Sequence, residues 1–200
     1  MTPVFSTSYL PPIVYVATLL RHTEVLIETK ETFPKQTYRN RTEIMTAGGV
    51  RTLSVPVIRN NHSRTEDVGI DYKERWNIIH LRTIAAAYSA SPYYLYYKDD
   101  FEALLTKRYD KLVDLNETLL KWILKLLKSN CQLRRTEDYQ KEYALDFRNT
   151  FSPKVPYPTV GHEKYYQVFS DRIPFTPNLS IIDLLMNLGP EAREYLKMIT

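Results

Sequence analysis

Glycine is scarce in this chain, five in 200 residues; cysteine occurs once, and histidine four times. The single Cys131 excludes an internal disulfide framework and a cysteine-based zinc site. No second His or Cys stands at ligand spacing from His80, so neither a metal nor any other cofactor is expected. The sparse glycines form no GxGxxG, P-loop or GxSxG pattern, and HExxH and DxD are also missing. The common nucleotide, esterase, metalloprotease and sugar-nucleotide signatures are therefore out of reach. No apolar run approaches the ~20 residues that span a bilayer. Met1 to Ser8 has neither the positive region nor the apolar core of a signal peptide. These absences predict a soluble, cytoplasmic chain without membrane insertion, and no internal repeat is visible.

Sixteen tyrosines stand out against that background, and 27 basic residues face 23 acidic ones, a net charge of +4. The excess is spread along the chain. It leans toward an anionic small-molecule or sugar-linked substrate and is too diffuse for nucleic-acid binding. Two hundred residues, 44% hydrophobic, fit one domain spanning 1–200, with a segment from about 146 to 200 packing on the core.

The chain opens strand, loop, helix, strand. Val4-Phe5-Ser6-Thr7 reads as a short buried strand, broken at Leu10-Pro11-Pro12 because proline supplies no ladder donor. Ile13 to Arg21 has helical spacing, and Val25-Leu26-Ile27 is a second buried strand. Such a β-α-β order predicts parallel pairing, and ligands of open α/β sheets sit outside the carboxyl ends of the strands. Tyr9 and the segment after Ile27 would then share one mouth. Beside it lies Lys35-Gln36-Thr37-Tyr38-Arg39-Asn40-Arg41, a polar, cationic loop that feeds a hairpin through Ile44, Gly48-Gly49 and Leu53-Ser54-Val55. Arg39 and Arg41 suit a carboxylate or phosphate, which the guanidinium fork binds through two hydrogen bonds, with Gln36 and Asn40 to orient it. A solvated basic loop is the alternative.

The middle of the chain turns helical. Trp76, His80, Ile84 and Tyr88 recur every four residues and form one stripe. His80 reads either as a satisfied core histidine or as a general base, for which an unperturbed pKa near ~6.5 is suited. Tyr93-Tyr94-Leu95-Tyr96-Tyr97 either stacks on a flat ligand or seals a corner between helices. The next helical region is expected to break around Asp114-Leu115-Asn116, with Asn116 as N-cap of a Leu-rich amphipathic helix. Asp146-Phe147-Arg148 and Ser152-Pro153-Lys154 read as a loop rich in proline, with Pro156 and Pro158. In it, Asp146 either orients an arginine or acts as a base, or simply pairs with Arg148 or Lys154. Ser180 and Asp183 look like a capping box at a helix start, which makes Asp183 a cap. Gly189-Pro190 closes that helix and opens another.

Taken in order, several of these pieces resemble the WbqC-like protein family, in the form with an extended C-terminal segment. They are Ser6 to Pro12, Lys35 to Arg41, Leu53 to Val57, Trp76 with His80 to Ile84, Tyr88 with Ser91-Pro92-Tyr93, Leu112 with Asn116, Asp146-Phe147-Arg148, Pro153-Lys154, Tyr165 to Phe169 and Asn178 to Pro190. The opening Thr7-Ser8-Tyr9-Leu10-Pro11 departs from the glutamine-proline-aromatic pattern of many members. The resemblance implies a role in making surface polysaccharide such as O-antigen, with glycyl or related acyl transfer to a sugar as the suggested activity. On that reading His80 is the base, Arg39 and Arg41 hold the donor, and Tyr9, Tyr38 and Tyr93 line a sugar subsite, with Asp146 and Arg148 nearby. The alternative is a non-catalytic protein that binds a glycan intermediate or a partner enzyme. In that case the tyrosine corner and the Leu-rich C-terminal helices offer a surface for a partner or for a homo-oligomer.

Overall fold

Val4–Ser6 (β1) and Glu24–Glu28 (β2) run parallel, Phe5 opposite Ile27, and α1 (Ile13–Leu19) crosses over between them. Both strands are apolar on both faces, as a sheet covered on each side requires. In α1 all residues but Thr18 are buried, so it is a core helix rather than an amphipathic one. The computed structural model describes residues 1–154 and 163–199. It is an α/β fold with a helix-rich middle and C-terminal part.

Two late strands complete the sheet. β7 (Gln132–Arg135) pairs parallel with β2, and β8 (Asp146–Phe147) pairs parallel with β1. The order β7-β2-β1-β8 places the first strand inside, with later strands added to either side. The direction of addition reverses between β1 and β8, the topological switch point beside which α/β sheets bind ligands. β8 corrects the expected loop: Val4 N–H donates to the Leu145 carbonyl, and Phe147 stacks on Phe5 with ring centroids 4.9 Å apart. Pairing with β1 overrides a local sequence without strand character. Pro156 and Pro158 lie outside the described residues.

Between β2 and β7 the chain forms the hairpin β3 (Arg41–Thr46) and β4 (Gly49–Ser54), closed by Ala47-Gly48 with Gly49 at φ +100°. A smaller antiparallel pair follows, β5 (Val57–Ile58) with β6 (Gly69–Ile70). Helices α2 (Trp76–Tyr88), α3 (Tyr94–Thr106) and α4 (Leu112–Leu126) come next. Trp76, His80, Ile84 and Tyr88 are all buried, as their spacing predicts. The helical region breaks earlier than expected. Lys107 is extended, Asp110 accepts from Ile70 N–H, and Leu112 N–H donates to Val68, so this segment pairs with β6. Asn116 therefore sits a turn inside α4 on its buried face and is no N-cap.

At the C-terminal end, α5 (Ile181–Leu188) is buried along nearly its whole length and contacts α1, α3 and β3, and α6 (Ala192–Met198) follows. α5 is core, so it offers no partner surface. Gly189 is required by its neighbour: at φ +53°, its added Cβ would lie 2.4 Å from the Tyr93 ring. No helix among the described residues is long and apolar enough to cross a membrane.

Candidate functional site

The carboxyl ends of the four strands collect polar side chains that the interior would otherwise reject. Thr7 and Ser8 follow β1, Glu28, Thr29 and Glu31 end or follow β2, Thr136 follows β7, and Arg148 follows β8. Arg39 comes from the 35–41 loop and Asn116 from α4. All but Glu31 are buried residues, and the Glu31 side chain is only 12% exposed. Burying polar groups at such density is costly unless each is paired.

Most are paired. Glu28 Oε1 accepts from Thr136 Oγ1 at 3.0 Å and from the N–H groups of Lys30 and Glu31. Arg148 spends its fork internally. It donates to both Asp146 oxygens, to the Gln140 and Lys141 carbonyls, and at 3.4 Å to Glu28, while Tyr139 and Tyr143 lie over its guanidinium. Those hydrogen bonds hold the Asp146 carboxyl below the usual carboxylate range and push Arg148 further up. Arg148 is thus the clamp of the 136–145 crossover. Arg39 is similarly occupied: Nε donates to Glu31 at 2.8 Å, Nη2 lies 2.6 Å from the same oxygen, and Nη2 also reaches the Arg148 carbonyl. Two arginines facing Glu28, Glu31 and Asp146 leave no positive surplus in the cluster.

The 35–41 loop is anchored by its backbone as well. Ser8 Oγ and Tyr9 N–H donate to the Tyr38 carbonyl, Asn116 Nδ2 donates to the Arg39 carbonyl and to Thr7 Oγ1, and Asn40 bonds Val55 through both backbone and side chain. Asn40 is therefore a brace. Tyr38 donates to Glu43 and is half-buried; Gln36, at φ +58°, is exposed.

Near the strand ends and the 35–41 loop, four side-chain atoms keep unspent capacity among the described residues. Thr29 Oγ1, Asn116 Oδ1 and Arg41 Nε are buried without a hydrogen-bond partner. Glu31 Oε2 carries no hydrogen bond among the described residues, since Arg39 engages Oε1 alone. Thr7 and Thr29 lie one residue beyond the last register pair, Ser6 with Glu28, so their strand ends are adjacent. Burial pushes the Glu31 carboxyl above the ordinary value, against the opposing pull of Arg39. Arg41, which opens β3 opposite Ser54, makes no ion pair among the described residues. Within the 35–41 loop, it is the guanidinium still available to an anion.

His80 is held by Tyr9 and by the backbone of Ser54, the residue opposite Arg41 in the β3–β4 register. It is 4% exposed, its Nδ1 is 2.9 Å from the Tyr9 hydroxyl, and it packs edge-on against Trp76. Burial drives its pKa down to about 4, although a hydrogen bond to the Ser54 backbone works the other way. The ring is neutral and closed in, and Tyr9, itself fully buried, covers it. Tyr93 is elsewhere, on Gly189 at the end of α5, in stacking contact with Tyr97. The structure thus brings Arg39 and Arg148 together at the strand ends, with Asp146 attached, and leaves His80, Tyr9 and Tyr93 in packing positions.

Glu28, Glu31, Thr29 and Thr136 join the candidate site without having been singled out in the sequence, and Asn116, expected as a cap, joins it too. A signal existed: Glu28 follows the apolar Val25-Leu26-Ile27 directly, at the end where a parallel strand meets ligand. Asp183 needs a correction. The Ser180 hydroxyl donates to the Leu10 carbonyl, and Asp183 accepts instead from Tyr88 at 2.9 Å, Tyr165 at 2.5 Å and Gln167 at 3.0 Å. It is a fully buried acid, whose pKa burial raises, and not a cap. No cluster of three or more His, Cys, Asp or Glu among the described residues could hold a metal.

Comparison with known proteins bears on this geometry. A family model described as WbqC-like protein family matches residues 7–150 and 146–195. A protein of Mycobacterium tuberculosis (strain ATCC 25618 / H37Rv), named uncharacterized protein Rv1507c, is 26% identical over 226 aligned positions, covering 97% of this chain and 96% of its own. No solved structure gives a significant match.

Proposed function

The chain belongs to the WbqC-like protein family, and from that premise we propose that it is a cytoplasmic transferase of surface-polysaccharide biosynthesis, moving a glycyl or related acyl group onto a sugar. The observation that carries the reading is the unspent capacity at the strand ends: a carboxylate oxygen, an amide oxygen and a hydroxyl, all beside the topological switch point. Substrate groups would complete these hydrogen bonds, as buried polar atoms require.

In this reading Glu31 is the base, in place of the enclosed His80. Its raised pKa brings it closer to neutrality, and Arg39 fixes its orientation through Oε1. The acceptor's oxygen or nitrogen attacks the acyl carbonyl carbon and its proton passes to Glu31 Oε2. The donor's leaving group then departs with the bonding electron pair and takes that proton. Arg41 holds the carboxylate or phosphate of the donor. Asn116 Oδ1 and Thr29 Oγ1 position the acceptor, with Tyr38 and Gln36 on the accessible side.

The test is transfer from an activated glycyl donor to amino-sugar and sugar acceptors, with products followed by mass spectrometry. Glu31→Gln is expected to lower kcat by about 10²-fold. Arg41→Gln is expected to raise KM for the donor about tenfold or more with Tm unchanged, because no ion pair is lost. Full activity in both variants would overturn the assignment. One observation favours a second reading, a non-catalytic glycan-binding protein: most charges of the cluster are tied to one another, as in a scaffold. Saturable binding of a sugar-linked ligand without turnover across donors would select it.

A further inference from the structure

At the opposite edge of the sheet, where β2 and β7 begin, the His22-Thr23 turn, the Lys128–Cys131 turn and the α6 side chains Arg193 and Lys197 enclose a cavity of about 240 Å³. A pocket of this size suits the phosphate end of a small molecule rather than a polymer. We propose that this cavity binds the phosphate group of such a molecule. The site is separate from the strand-end cluster and does not rest on the transfer reading.

Charge is the first argument. Lys128 and Arg193 make no ion pair among the described residues, while Lys197 is bridged to Glu194 at 2.8 Å. The carboxyl ends of α1 and α4 point toward this edge, and each offsets about half a positive charge. Two unpaired cations therefore leave a surplus of about one charge. Arg193 and Lys197 stand four residues apart on α6, and Glu194 between them answers Lys197, which leaves Arg193 and Lys128 as the cations open to a ligand.

Backbone geometry is the second argument. α4 ends in a left-handed turn, with Lys128 N–H donating to Lys125 and Ser129 N–H reaching back to Leu124 at 2.9 Å. Lys128 occupies φ +50°, the position where glycine is the unstrained choice. A lysine kept there bears strain and lines the cavity.

Cys131 lines the cavity and is the chain's single cysteine, so it reports occupancy. The experiment follows alkylation of the full chain by neutral iodoacetamide, with inorganic phosphate, glucose 1-phosphate, or chloride at matched ionic strength. Either phosphate is expected to slow the reaction as 1 + [L]/Kd, about tenfold at a concentration ten times Kd, and chloride is not. The more protective of the two distinguishes free phosphate from a phosphate ester. Arg193→Gln and Lys128→Gly are expected to abolish protection, and Lys128→Gly also to raise Tm by relieving the backbone. Protection equal with chloride, protection absent with both phosphates, or protection unchanged in both variants would each overturn the proposal.

Discussion

Glu31 holds the guanidinium of Arg39 through a single oxygen, 2.8 Å from Nε and 2.6 Å from Nη2, with the arginine only 2% exposed. Removing one partner of a buried pair leaves the other charge uncompensated, at a cost of about 3–5 kcal/mol. Arg39→Met is therefore expected to lower stability by that amount in urea unfolding. Arg39→Met combined with Glu31→Gln should recover most of the loss. If the double variant is as unstable as the single one, packing rather than the ion pair holds the loop in place.

His80 makes stability depend on pH. Its pKa in the folded chain is about 4, below the ordinary 6.5, so the folded state binds fewer protons than the unfolded one between these values. The stabilisation is complete above pH 6.5 and is lost as pH falls toward 4. The difference amounts to at most about 3 kcal/mol. Urea midpoints across this window should fall more steeply for the wild type than for His80→Gln, whose amide can still meet Tyr9 and Ser54. Parallel slopes would mean that the imidazole is less enclosed than its surroundings indicate.

Asp183 is the opposite case. Burial raises its pKa, so the folded state favours the protonated acid, and stability falls as pH rises from the unfolded carboxyl value through the folded one. Asp183→Asn keeps the shape and accepts from Tyr165 and Gln167, and should change stability by less than about 1 kcal/mol. Asp183→Ala leaves the Tyr88 and Tyr165 hydroxyls without their acceptor, and should cost about 3 kcal/mol or more. Thermal melts of both variants decide the matter; equal damage would show that the carboxylate charge itself is needed.

Local signals account for what the sequence discloses. The β1-α1-β2 unit is legible because its apolar runs are long and Pro11-Pro12 separates them. The α2 stripe is legible because Trp76, His80, Ile84 and Tyr88 keep a four-residue period. β8 is not, since two residues with polar neighbours become a strand only by pairing with β1. Asn116 looks like a cap because polar residues interrupt helices, yet it shares the face of Leu112, Leu119, Leu120 and Ile123. The 35–41 loop reads as a grip for anions from composition alone. Its Arg39 partner stands eight residues away, but the contact with Arg148 spans 109 residues, which no local pattern contains. Of the two arginines that composition offered, the fold spends one and leaves the other.

The strand order carries a consequence for synthesis. β1 and β2 are complete by residue 28, yet the strands that cover their outer edges are made only at residues 132–135 and 146–147. A nascent chain that folds its first unit early therefore displays two open β-edges while more than a hundred further residues are added. Open edges invite pairing with other chains. The β2 side closes only once Arg135 has been made and the β1 side only after Phe147, so premature termination before that point leaves an aggregation-prone fragment rather than a smaller working protein.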